Sequence, residues 1–173
     1  MTDLTKHIRT IPNFPKQGIL FYDISKLIQN PGAFKETIRQ LVNAVKEWGH
    51  IDYIAAPEAR GFVFAAPLAL EFGAGLVPIR KPGKLPYSTI SKSYDLEYGS
   101  NTIQVHTDAV APGNKVLLLD DLLATGGTME ACRQLITQLG GEIVGAVFVM
   151  ELLGLGGRET IKTPNIKTLM QFE

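Results

Sequence analysis

The stretch Val116–Met129, VLLLDDLLATGGTM, combines an apolar run, two adjacent carboxylates and a loop of small residues. Val116 to Leu119 form a short continuous apolar segment, which is typical of a central parallel strand buried on both faces. Asp120 and Asp121 follow at once, so we expect them where that strand ends. In open α/β sheets, ligands bind at the carboxyl ends of the strands. The stretch therefore predicts a doubly wound α/β fold with a ligand site at this edge.

The loop after the acidic pair has the properties of an anion site. Ala124, Thr125, Gly126, Gly127 and Thr128 leave backbone N–H groups uncovered, add two hydroxyls and open a helix whose N-terminus favours anions. The loop lacks the lysine and the glycine spacing of a P-loop, so it does not describe a triphosphate site. The acidic pair suits vicinal hydroxyls or a hard divalent cation. The alternative is structural, with aspartates that cap a helix and an ordinary Thr-Gly-Gly turn.

The composition narrows the class of protein. The chain has 173 residues, 45% of them hydrophobic and 20% charged, which fits one soluble globular domain. Lys plus Arg and Asp plus Glu each number 17, so bulk charge gives no reason to expect nucleic-acid binding. The single cysteine, Cys132, cannot form a disulfide within the chain, and neither a signal region nor a membrane-spanning run is evident. We therefore expect a cytoplasmic protein.

Flanking segments predict the other elements of the sheet. Asn30 and Pro31 can start a helix that Gly49 stops, and Ile51–Ala56 has the pattern of a first core strand. We expect a helix over residues 61–72 and further strands over residues 76–79 and 143–150. Residues 85–98 predict a mobile hairpin. Residues 1–30, with two prolines and a glycine in IPNFPKQGILFYDIS, predict an ordered but irregular hood.

Three motifs together resemble a known family. The acidic pair with LLATGGT is similar to the phosphoribosyl-diphosphate (PRPP) motif of type I phosphoribosyltransferases, in the form found in adenine phosphoribosyltransferases. FPKQGILFYDIS resembles their adenine-site signature, although Gln17 stands where proline is commoner, and YDLEYG resembles their catalytic loop. The resemblance covers essentially the whole chain. It implies the type I fold in a single domain, residues 1–173, with a hood over residues 1–30 and a flexible catalytic hairpin loop over residues 84–98.

The resemblance also implies a reaction. Adenine and PRPP would give AMP and pyrophosphate, with Mg²⁺ carried on the diphosphate and no direct protein ligand to the metal. Asp120 and Asp121 would hold the ribose hydroxyls, and the loop Ala124–Thr128 would hold the 5-phosphate. Glu97 would manage the imidazole proton of adenine.

Basic residues have two interpretations. Arg60, in PEARG, is either a surface ion pair or an anion ligand, and Arg80, Lys81 and Lys84 are either a solvated basic loop or contacts to an anion. The resemblance favours binding of the PRPP diphosphate by all four. It adds Glu58 and Ala59 to the pyrophosphate loop, with a cis peptide between them. It also implies that Arg80 reaches a neighbouring subunit's site, and hence a homodimer.

Leu20, Phe21 and Tyr22 are consecutive and bulky, so they either pack as an edge strand or form the wall of a flat aromatic site. The resemblance assigns them to adenine, with Leu152 closing the base pocket from the other side. Two other function classes stay open. A transferase for xanthine, hypoxanthine or orotate would share the central motif but not the hood, and a PRPP-sensing regulatory domain would usually lose the catalytic loop.

Overall fold

The computed structural model describes residues 3–95 and 100–173. Their contacts form two compact units, Met1–Gln40 and Leu41–Glu173. The first unit contains strands β1 (Arg9–Pro12) and β2 (Leu20–Asp23), helix α1 (Ser25–Gln29) and the start of helix α2 (Pro31–Val45). No helix among the described residues is long and apolar enough to cross a membrane.

Regular structure replaces the irregular hood that the sequence predicts. β1 and β2 pair as an antiparallel ribbon that places Arg9 opposite Asp23. Their side chains form an ion pair, and Asp23 also accepts the N–H of Ser25 at 2.8 Å. Hydrogen bonds from Ser25 and Arg9 lower the pKa of Asp23 to about 2. This cross-strand pair and the backbone ladder give regular structure to a segment for which the prolines predicted an ordered but irregular path.

The second unit contains a five-stranded parallel sheet. In chain order, its elements and those of a separate antiparallel hairpin are β3 (Tyr53–Pro57), α3 (Arg60–Phe72), β4 (Gly75–Ile79), β5 (Thr89–Asp95), β6 (Ser100–His106), β7 (Lys115–Leu123), α4 (Gly127–Gln138), β8 (Glu142–Leu152), α5 (Gly157–Thr160) and β9 (Ile166–Phe172). The sheet order is β4-β3-β7-β8-β9, and β5 pairs with β6 as the hairpin. The prediction of a parallel α/β sheet is confirmed.

β7 is the centre of this sheet. Val116 and Leu118 pack in one core cluster with residues of α4, while Leu117 and Leu119 point to the opposite face and are equally buried. β3 leads through α3 to β4 on one side, whereas β7 leads through α4 to β8 on the other side. The connections therefore diverge between β3 and β7. Such a topological switch point is where open α/β sheets bind ligands.

Two features of the sheet differ from expectation. β7 does not end at Asp120 but continues to Leu123, because Leu122 and Leu123 pair with Met150 and Glu151 of the long strand β8. The acidic pair therefore lies inside the strand. The sequence also predicts no strand at β9, which lies at the edge of the sheet and in which polar and apolar residues do not alternate. Both the length of β7 and the presence of β9 depend on pairing with the buried strand β8 more than on local composition.

Trp48 packs against the backbone of Gly145 on β8. A Cβ atom at position 145 would lie 2.5 Å from the indole Cζ3. We predict that Gly145→Ala lowers the free energy of unfolding by about 1–3 kcal/mol, because an overpacked contact forces the ring or the strand to move. Trp48 is the only tryptophan, so its emission spectrum should change as well.

Gly154→Ala is the matched control, since a Cβ atom there meets nothing within 4 Å. It should change the free energy of unfolding by less than about 0.5 kcal/mol in denaturant titrations. Equal stabilities for the two variants would contradict the packing of Trp48 on Gly145.

Candidate active site

A cavity of about 170 Å³ opens beside the end of β7. The residues that line it come from β7, from the loop that follows it, from β8 and from the starts of α3 and α4: Arg60, Asp120, Leu122, Leu123, Ala124, Thr125, Gly126, Gly127, Thr128, Met129 and Phe148. The sequence singled out seven of these positions as one ligand site. The fold thus brings Asp120, the small-residue loop and Arg60 to a single opening.

An ion pair crosses the switch point of the sheet. Arg60, the first residue of α3, places its Nε 3.0 Å from Oδ2 of Asp121 on β7. The Asp121 side chain is buried, whereas 40% of the Arg60 side chain is exposed. One side of the guanidinium therefore compensates a buried carboxylate, while the rest of it lines the cavity. The ion pair that the sequence offered as one alternative is therefore present, and it leaves part of Arg60 exposed along the cavity.

Asp120 is held by its own strand and by a close helix. Its Oδ1 accepts the N–H of Asp121 at 2.9 Å. A Cβ atom at Gly61 would lie 3.0 Å from that same oxygen, so a side chain at position 61 would press on the acidic pair, and glycine in the first turn lets α3 lie close to it. The carboxylate faces the cavity next to Arg60 and the small-residue loop.

The two carboxyl groups titrate as a coupled pair. Burial, followed by the charge of Asp121, raises the pKa of Asp120 well above its ordinary value. Burial also raises the pKa of Asp121, although the Arg60 guanidinium partly opposes this. The site therefore resists carrying two full negative charges until a compensating positive charge arrives.

The loop after β7 forms an anion cradle. Gly126 has a φ of +83° and precedes α4, which begins at Gly127. The first turn of a helix leaves its N–H groups without intrahelical partners, and here they border the cavity. Thr125 and Thr128 add hydroxyl groups at the same opening. Backbone donors, hydroxyls and the positive end of the helix dipole together favour a phosphate.

Tyr94, near the end of β5, was not assigned a role from the sequence. Its hydroxyl accepts a hydrogen bond from Oγ1 of Thr128 at 3.0 Å, which attaches the β5–β6 hairpin to the anion cradle. Only the position of Tyr94 within the family-like YDLEYG segment could have suggested this contact. Glu97 of the same segment lies outside the described residues.

The basic segment after β4 folds back onto Glu58. Oε2 of Glu58 accepts from Nη2 of Arg80 at 2.9 Å, and its Oε1 accepts the N–H of Lys81 at 2.6 Å. Nη1 of Arg80 also donates to the Lys84 carbonyl at 3.2 Å. The Lys81 N–H bond, together with Arg80, keeps the pKa of Glu58 below its ordinary value. The Glu58–Ala59 peptide is cis, as the resemblance implies.

Comparison with known proteins gives concordant matches. The model of the phosphoribosyl transferase domain matches residues 23–167. An adenine phosphoribosyltransferase from Shewanella loihica is 51% identical over 98% of this chain and 94% of its own length. The chain belongs to the adenine phosphoribosyltransferase family.

Solved structures support this assignment. A crystal structure of adenine phosphoribosyltransferase from Thermoanaerobacter pseudethanolicus superposes with a TM-score of 0.94 at 47% identity, covering 98% of both chains. The Saccharomyces cerevisiae enzyme, solved with D-2,5-dideoxy-2,5-imino-altritol 1,6-bisphosphate and adenine, has a TM-score of 0.90 at 40% identity over 96% of each chain.

Residues that the family resemblance assigns to adenine lie in both units. Leu20, Phe21 and Tyr22 form most of β2, so their alternative interpretation as a strand is correct, and Leu152 ends β8. Phe21 also packs edge-on against Phe14, with ring centroids 5.1 Å apart. Among the described residues there is no group of three or more His, Cys, Asp or Glu side chains that could hold a metal ion.

We predict that Asp120→Asn makes the protein more stable at neutral pH. A carboxyl group whose pKa is raised on folding costs stability once the pH exceeds its unfolded pKa, and this cost grows as the pH rises through the folded pKa. Asparagine removes that cost, so the Tm should increase at pH 7 but not near pH 3. Turnover should fall by about thirtyfold, equivalent to about 2 kcal/mol of transition-state stabilisation.

Asp52→Asn is the opposite control. Asp52 accepts the N–H of Lys115 at 2.7 Å, and this bond lowers its pKa. A lowered pKa stabilises the fold above the unfolded pKa, so this variant should lose Tm at pH 7. A lower Tm for Asp120→Asn at pH 7 would show that the acidic pair stabilises the fold.

Proposed function

We propose that this chain transfers the 5-phosphoribosyl group of PRPP to adenine, giving AMP and pyrophosphate in purine salvage. The observation that carries the proposal is the cavity at the end of β7, where an acidic residue, an arginine and a phosphate-type cradle meet. The substrate requires these three chemistries. Its ribose presents hydroxyls, its diphosphate leaves as an anion, and its 5-phosphate stays bound throughout.

The 5-phosphate lies in the loop Ala124–Thr128, where N–H groups and hydroxyls receive it. The ribose hydroxyls donate to the carboxylates of Asp120 and Asp121. The diphosphate faces Arg60, with Glu58, Ala59, Arg80, Lys81 and Lys84 forming its surroundings. Lys84 and Arg60 neutralise the negative charge that develops on the leaving group.

In the chemical step, a ring nitrogen of adenine forms a bond to the anomeric carbon as the bond from that carbon to the diphosphate oxygen breaks. The sugar passes through an oxocarbenium-like state, which carries positive charge. Before the reaction, the negative charges of Asp120 and Asp121 are only partly compensated. The positive charge of the oxocarbenium-like state completes that compensation. Because both carboxylates are fixed in a strand, they stabilise the cation without reorganising. No protein nucleophile is needed.

The proton of adenine must leave as the new bond forms. We assign its removal to Glu97, on the family resemblance of YDLEYG, and the closing of the loop over residues 84–98 to the same step. Leu20, Phe21 and Tyr22 receive the flat base, and the family resemblance also assigns Leu152 to it. Backbone groups of Leu20–Tyr22 contact the edge of the base.

Mg²⁺ suits this site as an ion that the substrate carries. The described residues hold no cluster of metal ligands, but the cavity presents carboxylate oxygen beside an anion cradle, and hard oxygen ligands of this kind are those Mg²⁺ prefers. Asp120 and Asp121 would approach it through ribose oxygens and water. When bound, the ion supplies positive charge to the diphosphate.

We predict that the protein uses adenine and rejects hypoxanthine. Adenine presents a donor at its exocyclic amine and an acceptor at N1, whereas hypoxanthine presents the reverse, so fixed backbone groups of Leu20–Tyr22 pair with one base only. Unpaired groups in a desolvated pocket give discrimination of about 10⁴ in kcat/KM. A spectrophotometric assay with PRPP and each base measures it.

Tyr22→Ala should keep this preference, because the backbone makes the choice. Comparable kcat/KM values for the two bases in the unmodified protein would refute adenine specificity. Activity with xanthine alone would assign the chain to another purine transferase, and PRPP binding without turnover of any base would indicate a PRPP-sensing domain.

The active form is proposed to be a homodimer in the cytoplasm. Support for a second copy comes from α3 and the edge strand β4, where Leu70 is 84% exposed and Leu76 is 38% exposed. Arg80 follows β4 directly and would reach the partner's site. The cytoplasmic location is supported by the single cysteine, Cys132, which is buried and free.

Leu70→Lys should shift the protein from dimer to monomer, because a charge would replace apolar surface in the interface. Light scattering coupled to size-exclusion chromatography measures the mass. Leu155→Lys is the matched control, since Leu155 is also an exposed leucine, at 43%, but lies outside α3 and β4. It should stay dimeric. A dimeric Leu70→Lys would place the interface elsewhere.

A further inference from the structure

The anion cradle rests on the backbone of a four-residue helix, α5. A Cβ atom at Gly157, the first residue of α5, would overlap the carbonyl oxygen of Ala124 and lie 2.6 Å from Cδ1 of Leu123. In the reverse direction, a Cβ atom at Gly126 would lie 2.5 Å from the carbonyl oxygen of Gly157. Neither glycine has room for a side chain. The position of α5 therefore limits where the cradle backbone can lie.

Arg158, next to Gly157, fastens α5 to the far edge of the sheet. Its Nε and Nη2 donate to the two carboxylate oxygens of Glu151 at 2.7 and 2.8 Å. Nη2 also donates to Oγ1 of Thr168 at 3.1 Å, and Nη1 donates to the carbonyl of Ile166 at 3.3 Å. One guanidinium thus joins α5 to β8 and β9.

Glu151 is suited to be a fixed anchor. It is only 3% exposed, and it also accepts from Thr168 at 3.0 Å and from Gln171 at 3.1 Å. Burial alone would raise its pKa, but the hydrogen bonds from Arg158, Gln171 and Thr168 outweigh burial and lower it. The carboxylate is therefore charged and fully engaged, and a forked guanidinium matches it better than an ammonium would.

A second anchor lies just beyond α5. Oε2 of Glu130, in the first turn of α4, accepts the N–H of Lys162 at 3.0 Å, and Arg133 and Gln134 also bond to this carboxylate. α5 is too short to hold a fixed position by itself, since isolated helices of a few residues are unstable. The position of α5 is therefore set by the contacts on either side of it. Four hydrogen bonds of Arg158 connect it to β8 and β9.

We propose that Arg158 is a positioning residue for the reaction: through its fork on Glu151 it holds Gly157 against Ala124 and Gly126, and so sets the geometry of the 5-phosphate cradle. Arg158 is absent from the residues that line the cavity, so it acts through the loop backbone. This inference rests on the proposed function, because it takes the phosphate of PRPP as the ligand of the cradle.

The experiment uses two ligands that occupy different parts of the site. Ribose 5-phosphate requires the cradle, whereas pyrophosphate requires Arg60 and its surroundings. In calorimetric titrations, Arg158→Met should weaken ribose 5-phosphate binding at least about tenfold, because misplacing a preorganised site by about 1 Å has effects of this size. The affinity for pyrophosphate should change by less than about twofold, because that ligand does not use the cradle. A general loss of structure would weaken both ligands together.

Kinetics give a second readout. KM for PRPP should rise with little change in kcat, because the phosphate is bound equally in the ground and transition states. Arg158→Lys keeps the charge without the fork, so it should be intermediate. If Arg158→Met fails to fold because Glu151 is left unpaired, the double variant Glu151→Gln/Arg158→Met removes both charges and should show the same selective loss.

Val147→Ala is the control for stability, since Val147 is fully buried in β8, where the alternation of the strand puts its side chain on the face opposite to Phe148, which lines the cavity. It should lower Tm and leave ribose 5-phosphate affinity unchanged. Unchanged ribose 5-phosphate affinity in both Arg158 variants, or a matching loss in Val147→Ala, would overturn the inference while leaving the proposed function intact. Failure of the unmodified protein to bind either ligand would overturn both.

Discussion

Burying Asp121 beside Asp120 in β7 costs free energy, and the elements around the switch point are arranged to offset it. Arg60 compensates one carboxylate at 3.0 Å, and the N–H of Asp121 donates to the other. Gly61 allows α3 close enough for that ion pair to form. The raised pKa of Asp120 shows that the compensation is incomplete. Such a site is destabilised when empty and best satisfied by a ligand that brings positive charge.

Close backbone contacts position the other half of the site. Gly126 and Gly157 meet where neither could carry a side chain, so the anion cradle has a rigid surface behind it. Hydrogen bonds from Arg158 to Glu151 fasten that surface to β8, the strand next to β7. A loop of small residues has little side-chain packing of its own. The position of this loop is therefore set by the ion pair between Arg158 and Glu151, which lies outside the cavity.

The central motif could be predicted from the sequence because its signals are local. Four apolar residues specify a buried strand, and Gly-Gly between threonines specifies an anion loop before a helix. The extension of β7 to Leu123 and the existence of β9 could not be predicted, since both follow from pairing with β8. The roles of Gly157 and Arg158 could not be predicted either, because they depend on contacts between separate segments. Their partners, Ala124 and Glu151, lie 33 and 7 residues away in sequence, and no periodic pattern links them.

The sheet itself sets the distance between the two anion subsites. β3 pairs with β7 from Tyr53–Val116 to Ala55–Leu118, and the two strands separate beyond the last of these pairs. β3 turns into the Glu58–Arg60 loop, while β7 carries Asp120 and Asp121 onward to the cradle. In the proposed binding mode, the diphosphate and 5-phosphate ends of one substrate meet two loops attached to these neighbouring strands. Because hydrogen bonds fix that register, the proposed mode aligns the ribose between the two ends on the acidic pair before any loop closes, which lowers the entropy cost of reaching the transition state.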